Sequence, residues 1–261
     1  MQNHKFISSP SNSQYKQLKK LVNNAKSRRL EQATLLDGIH LLTSLNQNNQ
    51  KPEEIFLKEG VFESNQEIAD CVSLFPNIPV TTISQALFDD ISPVDTPTGI
   101  FALYRIPSIQ PRVYELGILV DRIQDPGNLG TMMRTIAAAG AQAIYLSKGC
   151  TDAWSPKVLR AAMGAHFHLD IFENADLSQQ AKNFSSVVAT SLHASDSLYQ
   201  LDLTGSLAFL FGNEGAGLPD ELLSTATNQV TIPMPGNTES LNVAAATAIC
   251  VFERVRQLEC K

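Results

Sequence analysis

The chain has 261 residues, 43% hydrophobic and 18% charged, a composition that suits a globular protein with one large domain or two ordinary ones. No apolar run reaches the roughly 20 residues that span a bilayer, and the first ten residues lack the apolar stretch of a secretory signal, so a cytoplasmic protein with no membrane segment is expected. The net charge of −6 is unevenly spread: Lys5, Lys16, Lys19, Lys20, Lys26, Arg28 and Arg29 fall in the first thirty residues with no acid among them, leaving 13 basic against 26 acidic residues in the rest. A basic arm on an acidic body points to a polyanionic partner, although a solvated helix face has the same composition.

Residues 8–14, rich in serine, read as an unstructured lead-in. Residues 15–30 have helical spacing, with Leu18, Leu21, Val22 and Ala25 on one face. A strand is expected at 34–36, a helix opening at Asp37-Gly38 and running to Leu45, and strands at 54–58, 80–83 and 99–105, with a helix over 65–74. This alternation predicts a small α/β domain over residues 1–106. The stretch Ile106-Pro-Ser-Ile-Gln-Pro-Arg112 reads as a linker.

Residues 113–261 show a regular strand–helix alternation. Strands are expected at 117–120, 143–146, 167–171, 186–190, 207–211 and 229–232. The last helix is expected over 241–258, with Leu241, Ala245, Ala248, Val251, Val255 and Leu258 as a core-facing stripe that Phe252 widens. His166 and His168 alternate along an expected strand and so face one way, but neither acid nor thiol completes a ligand set, and no metal is expected. His4, His40 and His193 are scattered, and no nucleophile–base–acid set emerges. Cys71, Cys150, Cys250 and Cys260 show no Cys-x-x-Cys spacing and read as reduced thiols.

Three loop-like blocks carry the polar groups that invite chemistry. In Asp125-Pro-Gly-Asn-Leu-Gly-Thr-Met-Met-Arg134, Asn128 can cap a following helix, and Arg134 lies near enough to the helix start to hold an anion there; a capped helix with a surface arginine is the plainer alternative. In Leu210-Phe-Gly-Asn-Glu-Gly-Ala-Gly-Leu218 an apolar strand ends in a glycine-rich turn. That turn presents Glu214 at the carboxyl end of the strand, where open α/β sheets bind ligands, or leaves it simply solvated. In Ile232-Pro-Met-Pro-Gly-Asn-Thr-Glu-Ser-Leu-Asn242 an irregular loop leads into the last helix, with Ser240 and Asn242 at its start. None of the three has the Gly-x-Gly-x-x-Gly spacing of a dinucleotide site, which counts against a nicotinamide oxidoreductase.

In order and spacing the three blocks resemble the motifs of the SpoU (TrmH) family of RNA ribose methyltransferases, in the SPOUT class. The resemblance covers about residues 116–258, and Asp152-Ala-Trp-Ser-Pro-Lys-Val-Leu-Arg-Ala-Ala-Met-Gly-Ala165 looks similar too. It implies an α/β fold: a SPOUT sheet with a deep trefoil knot in the catalytic half (113–261), plus a smaller, ribosomal-protein-like RNA-recognition domain (1–106), in which Asp37 stands where relatives often have Glu. It also implies S-adenosyl-L-methionine as cofactor, bound by Thr190, Ser191, Leu192, Gly212, Asn213, Glu214, Ile232, Pro233, Met234, Leu241 and Asn242. A homodimer is implied, with both protomers contributing to each active site. The implied reaction is methyl transfer to a ribose 2′-hydroxyl of structured RNA, ribosomal RNA before transfer RNA. Arg134, Asn128, Glu214 and Ser240 are its expected catalytic residues. Because arginine stays protonated, Arg134 is expected to grip the neighbouring phosphate and polarise the hydroxyl. Lys16, Lys19, Lys20, Lys26, Arg28 and Arg29 are the expected RNA contacts. A non-catalytic RNA-binding protein with the same fold, or a SPOUT base methyltransferase, is the alternative.

Overall fold

The computed structural model describes residues 5–94, 96–110, 112–192, 194–236 and 238–260; His4, Pro111 and His193, named above, lie outside them. The chain divides into two compact units. The first runs to Ser108 and takes in Trp154–Phe167; the second is Ile109–Ala153 with the chain from His168 onward.

The first unit holds β1 (Lys5–Ile7), α1 (Ser13–Asn23), α2 (Ala25–Glu31), β2 (Ala33–Asp37), α3 (Ile39–Gln47), β3 (Glu54–Lys58), α4 (Val61–Ser64), α5 (Gln66–Ser73), β4 (Val80–Ile83), α6 (Gln85–Ile91) and β5 (Ile100–Arg105). Its sheet has the order β1-β4-β3-β5-β2: β1, β4 and β3 run parallel, and β5 is antiparallel to β3 and β2. Tyr15, Leu18 and Leu21 on α1 pack with Ile7, Leu35, Phe56, Ile83, Phe88, Ile91 and Phe101 into one core. The serine-rich stretch 8–14 is not an unstructured lead-in: Ile7 before it is buried in a strand, and within it Asn12 caps α1, its Oδ1 accepting from the backbone N–H of Gln14 and Tyr15.

The helix expected over 15–30 is two helices. Asn24 breaks it with extended backbone (φ −137°, ψ 111°) and caps α2 by accepting from the N–H of Ser27. This turn is stapled by Arg28, which is only 4% exposed. Its guanidinium donates to the carbonyls of Leu21 and, at 2.9 Å, Val22. Those carbonyls belong to the last turn of α1, which has no further helix to satisfy them, and a cation there also suits the helix dipole. Arg28 is therefore a structural residue, and the expectation that it touches RNA is corrected on that ground.

The second unit holds β6 (Leu116–Val120), α7 (Pro126–Ala138) and β7 (Ala143–Leu146). The next helix, α8 (Pro156–Ala162), belongs to the first unit. Then follow β8 (Asp170–Glu173), α9 (Leu177–Ala181), β9 (Ser186–Thr190), β10 (Asp196–Ser197), β11 (Leu207–Phe211), α10 (Asp220–Leu223), β12 (Asn228–Thr231) and α11 (Val243–Glu259). The seven strands are all parallel, in the order β10-β12-β9-β11-β6-β7-β8. Every residue of β6 and β11 is buried, as their continuous apolar runs require. The fit is tight: a Cβ on Gly117 in β6 would stand 2.2 Å from the Phe184 ring.

Three expectations shift. His166 sits in a 3-10 turn, Ala165–Phe167, its ring 4.9 Å from that of Trp154, and the strand starts only at Asp170, so His166 and His168 share no strand. Although Trp154–Phe167 falls in the span expected for the catalytic domain, it packs with the N-terminal residues: Thr34 Oγ1 donates to the Trp154 carbonyl at 2.8 Å, and Tyr104 lies against the Trp154 ring. The buried face of α11 is Ala244, Thr247, Cys250, Val251, Glu253 and Arg254, not the expected stripe. Of that stripe only Val251 is buried, whereas Leu241, Ala245 and Leu258 are exposed and Phe252 is 47% exposed.

Candidate cofactor cleft

Parallel strands bring their carboxyl ends to one edge, so the loops after β9, β11 and β12 meet there. Register fixes the meeting: Leu210 pairs with Ala189, Phe211 with Val120, and Val230 with Thr190. Between these loops and the start of α11 lies a cleft of about 790 Å³.

The loop after β11 is a tight, reciprocally bonded turn. Asn213 and Gly217 exchange both backbone hydrogen bonds, at 3.1 and 2.9 Å, and Asn213 Oδ1 accepts from the N–H of Gly215 and Ala216. Only glycine fits at 212, because a Cβ would stand 2.4 Å from the backbone carbon of Gly217. The turn projects Glu214. One carboxylate oxygen accepts from Asn128 Nδ2 at 3.1 Å, and Asn128 Oδ1 in turn accepts from Asn242 Nδ2 at 2.9 Å. Asn242 caps α11, its own Oδ1 accepting from the N–H of Ala244 and Ala245. One polar chain thus ties together three segments lying 114 and 86 residues apart in sequence. The other oxygen of Glu214 accepts only a long bond from Asn213 Nδ2, at 3.4 Å, and a carboxylate oxygen with two lone-pair sites keeps acceptor capacity to hold a hydroxyl.

Of the residues expected at the site, Asn128, Thr190, Ser191, Leu192, Gly212, Asn213, Glu214, Ile232, Met234, Ser240, Leu241 and Asn242 line the cleft. Pro233 and Arg134 do not. Two details change. Asn128 does not cap α7; Asp125 does, accepting from the Asn128 N–H at 2.7 Å with Pro126 at the first helical position, and this frees the Asn128 carboxamide to face Glu214. Arg134 is not at the helix start. It lies eight residues beyond Pro126, about 12 Å along the axis, and leaves the helix about 120° around from Asn128. It is exposed, and among the described residues neither ion pair nor hydrogen bond engages it.

Sequence reasoning missed Phe211, Leu218 and Val243, which also line the cleft; the apolar residues flanking each motif were the available signal. It also missed Arg122, whose carbonyl accepts from Asn213 Nδ2 at 2.9 Å. Among the described residues no cluster of three or more His, Cys, Asp or Glu side chains could hold a metal ion, and no helix is long and apolar enough to cross a membrane.

Residues 115–252 match the SpoU rRNA Methylase family, and residues 12–102 match the MRM3-like substrate binding domain. The chain is 32% identical over 251 residues to the 23S rRNA (guanosine(2553)-2′-O)-methyltransferase RlmP of Bacillus subtilis (strain 168), covering 95% of this chain and 98% of the relative. It is 28% identical to the 23S rRNA (guanosine-2′-O-)-methyltransferase RlmB of Pseudomonas putida, over 89% of this chain and all of that one. A crystal structure of an AdoMet-bound rRNA methyltransferase from Sinorhizobium meliloti superposes with a TM-score of 0.81 at 30% identity, covering 97% of this chain and 98% of that one. The chain belongs to the SpoU family of rRNA methylases.

Proposed function

We propose that this chain transfers the methyl group of S-adenosylmethionine to a ribose 2′-hydroxyl of ribosomal RNA. The observation that carries the reading is the Asn242–Asn128–Glu214 chain at the mouth of the cleft, a set of fixed hydroxyl-binding groups beside a pocket of adenosyl size. The donor set suits that cofactor. Leu192, Ile232, Met234 and Leu241 offer apolar walls for a flat base, Gly212 brings bare backbone to the wall, and the loop amides offer bonds without charge. S-adenosylmethionine, when bound, supplies an electrophilic sulfonium methyl. The protein's own part is to exclude water, to hold the ribose through Glu214, Asn128 and Ser240, and to ease the departure of the hydroxyl proton, which a substrate phosphate accepts.

Arg134 grips that phosphate and polarises the hydroxyl. It is exposed and does not line its own cleft, so its service is across a homodimer, and the outward-facing Ala245 and Phe252 of α11 support such an assembly. Residues 1–106 serve as the RNA-recognition domain and residues 113–261 as the catalytic one, at work in the cytoplasm. A trefoil knot fits the strand order: β11 lies between β9 and β6, β12 lies beyond β9, and yet α11 returns to pack on α7, the helix that follows β6. The test is incubation with methyl-tritiated S-adenosylmethionine and unmodified ribosomal RNA, followed by alkaline hydrolysis. Label in alkali-resistant dinucleotides is expected; label on a base in mononucleotides overturns the ribose assignment.

A further inference from the structure

Arg122 is one of few non-glycine residues in left-handed backbone, at φ 51°. Such a conformation costs about 1–3 kcal/mol in an ordinary residue and persists only where surroundings over-determine it. Here they do so from three sides. The Arg122 N–H donates to Ser147 Oγ at 3.0 Å. The Ser147 hydroxyl donates to Asp121 Oδ1 at 2.8 Å, and Arg122 Nε donates to Asp121 Oδ2 at 2.8 Å. Asp121 is itself buried, its N–H held by the Phe211 carbonyl at 2.9 Å, so the clamp is anchored to the end of β11. The product of this turn is the direction of one carbonyl, that of Arg122, which receives Asn213 Nδ2 at 2.9 Å. Asn213 organises the Glu214 turn through the N–H groups of Gly215 and Ala216.

We infer that Asp121, Ser147 and Arg122 are positioning residues for the cofactor loop: they lock a left-handed turn whose carbonyl fixes Asn213, and through it the direction of Glu214. Arg122 works through its backbone. Its guanidinium neutralises Asp121 and needs no contact with RNA or cofactor. The clamp reaches the reacting groups by an unbroken series, from Ser147 to Arg122, Asn213, Glu214, Asn128 and the cap of α11. No sequence motif announces it, since an arginine in left-handed backbone looks like any other.

The consequence for turnover rests on the methyltransferase reading; the consequence for loop order does not, and the experiment reads both. Hydrogen exchange of the Gly215 and Ala216 amides is measured in the cofactor-free protein, together with S-adenosylmethionine Kd, kcat and RNA Kd. Ser147→Ala removes about one hydrogen bond's worth of restraint. It is expected to speed exchange at both amides and raise cofactor Kd by about 3- to 10-fold each, to lower kcat, and to leave RNA Kd unchanged. Arg122→Gly adopts the left-handed turn without strain and keeps the carbonyl. Alone it is expected to leave exchange at those amides near the wild-type rate, and combined with Ser147→Ala it is expected to restore exchange and cofactor Kd to within about 2-fold. An unchanged exchange rate in Ser147→Ala, or a double variant as loose as Ser147→Ala alone, overturns the inference. So does Arg122→Gly loosening the loop by itself, which would put the weight on the guanidinium. A wild-type protein that binds no S-adenosylmethionine sinks the proposed function and leaves the exchange comparison standing.

Discussion

Arg28 and Arg134 show how little a charged residue's type says about its work. Arg28 spends its guanidinium on two carbonyls at the end of α1, so Arg28→Ala leaves buried acceptors unmet. The cost should be roughly 1–3 kcal/mol, a fall in Tm of several degrees, with no change in the salt dependence of RNA binding. A flatter salt slope would return Arg28 to the RNA surface. Arg134 is the opposite case, an arginine with no partner among the described residues. Lysine in its place keeps the charge and loses the planar fork, so Arg134→Lys should lower kcat roughly 10²-fold with S-adenosylmethionine Kd nearly intact; near-normal turnover would leave charge alone as its role. Asp37 gives a pH signature. Burial pushes its carboxyl up to about 6 against the partial pull of Arg160, and among the described residues no hydrogen bond reaches its Oδ1. The native state then keeps a proton that the unfolded chain has released, so stability falls as pH rises from about 4 through about 6, by up to roughly 3 kcal/mol. Asp37→Asn should melt higher than wild type at pH 7.5, with the advantage gone by pH 4; an equal advantage at both pH values would assign it to packing. The motif residues of the cleft were legible because each ends a strand in small or polar residues. Arg28 and Arg122 were not, because a buried guanidinium and a left-handed turn leave no mark on the local pattern.

Among the elements, the strands of the second unit were the most readable, since a strand covered on both faces must be apolar throughout, as Leu207–Phe211 is. Helix α11 was the least. Its first turns, Val-Ala-Ala-Ala-Thr-Ala-Ile, are apolar all round, so periodicity could not say which face turns inward. The face that does turn inward carries Thr247, Glu253 and Arg254. Thr247 satisfies itself on the Val243 carbonyl, and Glu253 is held well below the usual carboxylate range by its hydrogen bonds to Arg256, with Gln257 assisting against the cost of burial. That leaves Ala245 and Phe252, seven residues apart and so on one side of the helix, facing out, an apolar patch that a second copy would cover in the proposed homodimer. If the proposed homodimer uses this patch, Phe252→Glu should give a monomer by light scattering at micromolar concentration, with Tm little changed because that side chain is not buried. A variant that stays dimeric would move the interface elsewhere. Asn24 has a similar lesson: α1 and α2 join smoothly in hydrophobic spacing, and only the asparagine's extended backbone and its bond to Ser27 end the first helix.

At the scale of the whole molecule, the charge asymmetry and the division of the chain bear on one experiment. Helix α8 and its flanks lie within the SpoU match yet pack with the N-terminal residues, where Trp154, Val158 and Leu159 are buried. Nothing local in residues 154–167 could reveal this, because partners such as Thr34 stand 120 residues away. A truncation starting near residue 112 therefore strips that segment of its core, and point substitutions in the full chain are the sounder probe of RNA affinity. After the structure, the basic arm shrinks. Arg28 is internal, and Lys19 is paired with Asp90 at 2.6 Å, although still half exposed. Lys16, Lys20, Lys26 and Arg29 remain exposed on α1 and α2. If they meet phosphates, each contact releases counterions and contributes about 0.7–0.9 to the slope of log K against log salt. Replacing all four with glutamine should flatten that slope by up to roughly 3 while S-adenosylmethionine Kd stays the same. Adding Lys19→Gln should do less to the slope than its charge suggests, because the Lys19 ammonium is already engaged by the Asp90 carboxylate. A slope unchanged by the fourfold variant would move the RNA surface away from α1 and α2, and with it the meaning of the charge asymmetry between the two ends of the chain.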